Sequence, residues 1–273
     1  MTTKLLAVIA EAATAPACLD AAEAAGHAIR DASIEALHVV VDPANLITAP
    51  EEIAIQSLRD RYEGTARERE AETHAAYQSW INDHPDADIP LRWKERFGSE
   101  EQNLESEARI FDVLVLARPT NMDGGDALHA AFRRVRHPFF LVPSKWRFNY
   151  RQSFAEHIVV AWNETGPCRK ALVGALPWLR VARKVTLLRI AKSPELAGSA
   201  EDLLDLHGIH YGVHLVQRDS HSLGDQIVSE ARCLGADLLV MGAYRRNEFI
   251  EWLLGGTTRH ALACCDLPLF LAH

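Results

Sequence analysis

The feature that most constrains this chain is that its pattern is written twice. Near the end of each half an apolar run carries an aspartate at its start, Phe111-Asp112-Val113-Leu114-Val115-Leu116 and Ala236-Asp237-Leu238-Leu239-Val240-Met241, 125 residues apart. An amphipathic stretch follows each run. An X-Pro dipeptide then leads into a last apolar run, His137-Pro138-Phe139-Phe140-Leu141-Val142 against Leu267-Pro268-Leu269-Phe270-Leu271-Ala272, 130 residues apart. Both halves also open on a short apolar strand, Leu5 to Ala10 and Ile158 to Trp162. A duplicated unit fixes the architecture before any single residue is interpreted. The slightly shifted register marks the duplication as old. Length agrees, since 273 residues make a little under two domains of about 150 residues each.

Each half reads as strand and helix in alternation, five strands and four helices. In the second half the spacing predicts strands at Ile158 to Ala161, Lys184 to Ile190, Tyr211 to Val216 and Leu238 to Met241. Helices are predicted at Cys168 to Arg180, Ser199 to His207 and Gly224 to Leu234. Continuous apolar strands alternating with helices indicate a parallel sheet covered on both faces, a doubly wound α/β fold. The first half departs from this economy between Asp42 and Asn103, where one long charged helix is expected from Ser57 to Trp80. Its run of Arg59, Arg61, Arg67, Glu68, Arg69 and Glu70 reads as a solvated helix face. Domains are therefore expected at 1–145, a degenerate unit with a long helical insertion, and at 154–273. The aromatic and basic stretch from Lys145 to Gln152 is expected to pack as the linker.

Acidic residues outnumber basic ones 37 to 29, so the surface repels nucleic-acid phosphates and anionic lipid. No apolar run approaches the roughly 20 residues of a membrane span, and the N-terminus lacks the layout of a signal peptide, so a cytoplasmic location is expected. The five cysteines, Cys18, Cys168, Cys233, Cys264 and Cys265, form no C-x-x-C pair and read as reduced thiols. Among the histidines from His207 to His214, His207 ends a helix, while His210 and His214 share a face but lie too far apart along a strand to chelate one ion easily, and no metal site is assigned. No G-x-S-x-G elbow and no complete Walker motif occurs, so no catalytic residue is assigned. Trp162, Trp178 and Trp252 read as packing residues.

The informative segment runs from Met241 to His260, from the carboxyl end of a strand to the start of a helix, where open α/β sheets bind ligands. Gly255-Gly256-Thr257-Thr258 suits a cradle for a di- or triphosphate, whose charge a helix N-terminus favours. The same residues also suit a plain helix cap, and spacing alone favours the cap.

In these residues the chain resembles the universal stress protein family, as a tandem of two repeats. The resemblance rests on Ile158-Val159-Val160-Ala161-Trp162-Asn163, Gly235 to Tyr244 and Trp252 to Thr258, and is weaker in the first half. It implies two five-stranded parallel sheets of order 3-2-1-4-5 that form an intrachain pseudo-dimer, paired through their last strands. It also implies adenosine phosphate at the switch point between first and fourth strands. The family pattern G-x2-G-x9-G-[S/T] places Gly242 first and Gly255 third, with Arg245 where the second glycine belongs and Gly256 at the hydroxyl position, followed by Thr257 and Thr258. Arg245 and Arg246 can instead pair with phosphate oxygens. Asn163 stands where the family has aspartate and adds no charge to a magnesium site. Asn163, Arg189 and Met241 are then expected to line the nucleoside. In the first repeat the corresponding residues are Ala117, Gly125, Asp126 and Ala127; with Glu11 they bring negative charge to the phosphate position, so this repeat is expected to have lost nucleotide binding.

Two readings of function follow. One is a stress-response protein binding ATP or another adenine nucleotide, with Mg2+ accompanying ATP, in its second half as a sensor or signalling module, and at most a slow ATPase. The other is a nucleotide-free scaffold for protein partners. Neither involves nucleic acid or a membrane, and both leave a monomeric pseudo-dimer or a homodimer open.

Overall fold

The computed structural model describes residues 2–41, 58–85, 87, 89–148, 154–191, 198–220, 222–243 and 265–273. The chain divides into two compact units. One comprises Met1–His137 with Ser144–Phe148, and the other Pro138–Pro143 with Asn149–His273.

The first unit contains β1 (Thr3–Val8), α1 (Ala15–Ile29), β2 (Ala32–Val40), α2 (Ala66–Asp83), β3 (Leu91–Phe97), α3 (Glu100–Ala108), β4 (Val113–Ala117) and α4 (Met122–Arg133). Its strands pair in parallel in the order β3-β2-β1-β4. The unbroken burial of Leu5 to Val8 and of Val113 to Ala117 reflects cover on both faces of the sheet.

The single long helix expected from Ser57 to Trp80 is two helices. Residues 58–63 are helical, the chain breaks at Gly64, and α2 begins after Thr65. Gly64 takes φ +85°, which glycine adopts at little cost. Thr65 and Glu68 form a capping box, in which the Thr65 side chain accepts the Glu68 amide and the Glu68 carboxylate accepts the Thr65 amide. The charges are not uniformly solvated either, because Arg59 and Arg69 are 1% and 7% exposed and lie in ion pairs.

The second unit contains β5 (Phe139–Val142), β6 (His157–Ala161), α5 (Gly166–Gly174), α6 (Leu176–Leu179), β7 (Lys184–Ala191), α7 (Ser199–Leu206), β8 (Gly212–Gln217), α8 (Leu223–Cys233), β9 (Leu238–Gly242) and β10 (Leu269–Ala272). The strands β10-β9-β6-β7-β8 pair in parallel, which is the order 3-2-1-4-5 counted from β6. Leu176 and Pro177 open α6 separately, so the stretch expected as one helix from Cys168 to Arg180 is divided.

The last strands of the two halves pair with each other. In the second unit β5 runs antiparallel to β10 in the register Leu269↔Leu141, Phe270↔Phe140 and Leu271↔Phe139. The reason is visible in the packing. Phe140 meets Trp178 and Phe270 edge-on, each at 4.9 Å between ring centroids, and all three rings are fully buried. Such pairs add about 0.5–1.5 kcal/mol each beyond the area they bury.

The two aspartates that reveal the duplication perform the same task in both units. Asp112 accepts the Lys4 amide at 2.8 Å, and Asp237 accepts the amides of Glu156 at 2.9 Å and His157 at 3.2 Å. Each therefore fastens the first strand of its unit to the fourth. Burial of the Asp237 carboxyl outweighs these two amides and pushes its pKa up to about 6.

Candidate functional site

In a doubly wound sheet the ligand crevice opens where neighbouring strands send their chains to opposite sides, at the carboxyl ends of the first and fourth strands. That point lies between β6 and β9 in the second unit and between β1 and β4 in the first.

In the second unit a cavity lies at this point. Its walls are the ends of β6 (Ala161, Trp162, Asn163), β7 (Leu188, Ile190) and β9 (Met241, Gly242), with Cys168 on α5 and Leu223 and Ile227 on α8. Three of the residues assigned from sequence, Asn163, Met241 and Gly242, thus converge. The Asn163 carboxamide oxygen accepts the Thr165 hydroxyl at 2.6 Å, which orients it at the mouth of the turn into α5. Met241 is buried.

Gly242 has a reason of its own. A Cβ built on it would lie 2.5 Å from the Cys168 backbone nitrogen, 2.8 Å from Cys168 Sγ and 2.8 Å from the Pro167 carbonyl carbon. The end of β9 therefore passes directly under the start of α5, where only glycine fits. Its part in the site begins as close packing.

Arg189 departs from its expected place along the nucleoside. It pairs at 2.5 Å with Glu201, three residues after Gly198 at the start of α7, and it does not line the cavity. The residues assigned to the phosphates, Arg245, Gly255, Gly256, Thr257 and Thr258, lie outside the described residues, as do Arg246, Trp252 and Cys264.

Glu164, which sequence reasoning passed over, orders this end of the sheet. Its carboxylate accepts the Ser199 hydroxyl at 2.7 Å, the Ser199 amide at 3.2 Å and the Trp162 indole N–H at 3.0 Å. These donors, Ser199 first, hold its pKa below the ordinary carboxylate value. The carboxylate therefore faces α7.

The matching carboxylate of the first unit faces the opposite way. Glu11 follows Val8, the last residue of β1, by three positions, as Glu164 follows Ala161 of β6. The two strand ends correspond in hydrogen bonding too, since Ile9 N–H donates to Leu37 O at 2.8 Å and Trp162 N–H to Leu188 O at 2.9 Å. Glu11 is 3% exposed and accepts both the Thr120 amide, at 2.8 Å, and the Thr120 hydroxyl, at 3.0 Å. Burial raises its pKa against those hydrogen bonds.

Two further amides at the start of α4 are also taken. Met122 N–H donates to Glu63 at 3.2 Å and Gly124 N–H to Asn121 at 3.0 Å. Gly124 is the glycine the packing requires, because a Cβ there would meet Pro119 and the Glu11 carboxyl within 3.1 Å; Gly125, assigned from sequence, has open space. Asp126 sits beside Asp123, and both pair with Arg59, at 3.0 and 2.8 Å, while Arg69 reaches Asp123 at 2.8 Å. Buried Glu100, beside these two aspartates, has its pKa raised well above the ordinary value, chiefly by burial. Ala117 ends β4 and Ala127 is buried in α4.

Among the described residues no group of three or more histidine, cysteine, aspartate or glutamate side chains is arranged to hold a metal ion. Nor is any described helix long and apolar enough to cross a membrane.

No protein-family model matches the chain, and no curated protein does. Solved structures do. A universal stress protein from Archaeoglobus fulgidus DSM 4304 superposes with a TM-score of 0.62 at 14% identity, over 98% of this chain and 95% of that one. A protein of unknown function from Pseudomonas aeruginosa PAO1 gives 0.53 at 14% identity, over 99% and 92%. A third, named for the same family as the first and from P. aeruginosa UCBPP-PA14, gives 0.51 at 15% identity, over 99% and 93%.

Proposed function

We propose, from a chain that carries the universal stress protein fold in two units, that its second unit binds an adenine nucleotide between β6 and β9 and acts as a stress-response sensor or signalling module. The observation that supports this is the different direction of two matching carboxylates. Glu11 accepts the Thr120 amide and hydroxyl at the switch point of the first unit. Glu164 turns to Ser199 instead, and the described residues lining the second unit's cavity include no charged side chain. An uncharged wall of backbone ends with Trp162, Met241, Leu188 and Ile190 suits the flat, apolar faces of a purine, and the Asn163 carboxamide supplies a polar contact for ribose or base.

In this reading Gly255, Gly256, Thr257 and Thr258 cradle the phosphates and Arg245 contributes charge to their oxygens. ATP brings Mg2+ with it. Hydrolysis is slow at most, since no group is assigned as general base. A nucleotide-free scaffold for protein partners is the second reading, favoured by Arg245 standing at a family glycine position.

Protein purified without nucleotide, then denatured and analysed by mass spectrometry, reports any retained ligand; calorimetric titration with ATP, with and without Mg2+, reports affinity. The expected result is one adenine nucleotide per chain, lost both in Gly255→Glu and in Ile227→Trp, which fills the cavity from α8. Absence of binding at millimolar ATP in a folded protein selects the scaffold.

A further inference from the structure

The amides at the start of α4 are occupied by groups drawn from distant parts of the chain. Thr120 N–H is held by Glu11 from the end of β1, and Met122 N–H by Glu63 from the helical residues 58–63. Asn121 closes the set on Gly124 N–H as an ordinary N-cap. Two of the three acceptors are thus carboxylates separated from α4 by 109 and 59 residues of chain.

The helix that brings Glu63 is fastened by more than that bond. Arg59, four residues before Glu63, is buried and pairs with Asp123 and Asp126 on the first turns of α4. Arg69, at the start of α2, pairs with Asp123 as well and donates to the carbonyl of Gly64 at the break between the two helices. The guanidinium groups offset the acidity of Asp123 and Asp126, so that Glu63 approaches the helix terminus without uncompensated repulsion.

We infer that the helical residues 58–63, together with Glu11 from the end of β1, are a tethered occupant of the first unit's switch-point crevice, in which the carboxylates of Glu63 and Glu11 stand where the oxygens of an anionic ligand would otherwise sit. Tethering raises the effective concentration of these carboxylates far above that of a free metabolite, so the crevice is permanently filled. The first unit then contributes no exchangeable anion site, because Glu11 from the end of β1 and Glu63 from the insertion both occupy it. This inference concerns the first unit alone and does not depend on nucleotide binding in the second.

Hydrogen–deuterium exchange of the full chain, without nucleotide, tests it. Glu63→Ala is expected to accelerate exchange about tenfold in peptides covering 118–126 and 58–72, as befits loss of one charge-assisted hydrogen bond, with peptides of the second unit unchanged. Inorganic pyrophosphate at millimolar concentration is expected to restore protection over 118–126 in Glu11→Ala/Glu63→Ala and to leave the parent protein unaffected. Unchanged exchange in Glu63→Ala overturns the inference. So does protection of the parent protein by pyrophosphate, since its amides would then be available. Failure of pyrophosphate to protect the double variant, with circular dichroism confirming that it is folded, reduces the two glutamates to helix caps and equally overturns it.

Discussion

Replacing Gly242 by alanine sets a packing role against a purely ligand-binding one. The added methyl would stand 2.5 Å from the Cys168 nitrogen and 2.8 Å from the Pro167 carbonyl carbon, both backbone atoms at the start of α5. Backbone atoms cannot swing aside as a side chain can, so β9 and α5 must separate by several tenths of an ångström. Overpacking of this kind costs about 1–3 kcal/mol, and the backbone contact puts Gly242→Ala toward the upper end. At about 2–4 °C per kcal/mol for units of this size, the second unit should melt roughly 5–10 °C lower. Urea titration followed by exchange in peptides from 157–191 reads that unit separately, which matters because two units need not unfold together. Cys168→Ala removes the Sγ contact and leaves the nitrogen in place, so it should recover only part of the loss. A midpoint for Gly242→Ala equal to the parent, or complete recovery by Cys168→Ala, refutes the packing argument.

Two further outcomes can be checked on the same protein. Asp237, raised to about 6 from 3.8, holds a proton in the folded state that the unfolded chain has already released, so its contribution to stability is present below about pH 4 and lost as pH rises through about 6. Asp237→Asn should flatten that part of the curve, and an unchanged slope of urea midpoints between pH 4 and 7 would contradict it. Arg59 and Asp123 should show a coupling energy of about 0.5–3 kcal/mol in a double-mutant cycle on first-unit stability; strictly additive losses would mean that their 2.8 Å contact is not an energetic one.

The central strands β1, β4, β6 and β9 were legible because each is a continuous apolar run, as burial on both faces demands, whereas β3, Leu91–Phe97, carries Arg92, Lys94, Glu95 and Arg96 and gives no such signal. Break points were harder. The box at Thr65 and Glu68, preceded by Gly64, is a local signal that divides the long charged helix, yet the density of arginine and glutamate around it reads as solvent exposure. Whether Arg59 and Arg69 are solvated or buried depends on Asp123, more than 50 residues away in sequence, and no window along the chain contains both partners.

The site divides in the same way. Asn163, Met241 and Gly242 meet because strand ends in this topology must meet, and the motif is enough to find them. Arg189 was lost to Glu201, whose position three residues into α7 is a capping signal that competes with a ligand for the guanidinium. Glu11 is legible as a misplaced charge, but the amide and hydroxyl that donate to it belong to Thr120, 109 residues further along the chain.

The register of β5 on β10 bears on how the two halves came to share a chain. Phe140 and Phe270 face each other at the centre of a short antiparallel pair, with Leu269 opposite Leu141 on one side and Leu271 opposite Phe139 on the other, so the pairing is close to self-complementary. A fragment beginning at residue 154 would lack β5 and present β10 as a bare, wholly apolar edge of four residues, a surface that either recruits an identical strand about Phe270 or aggregates. Gene fusion of two such copies converts that encounter from a concentration-dependent association into an intramolecular one. Once the partner is guaranteed, one copy is free to diverge in its crevice while continuing to supply the strand its sibling requires.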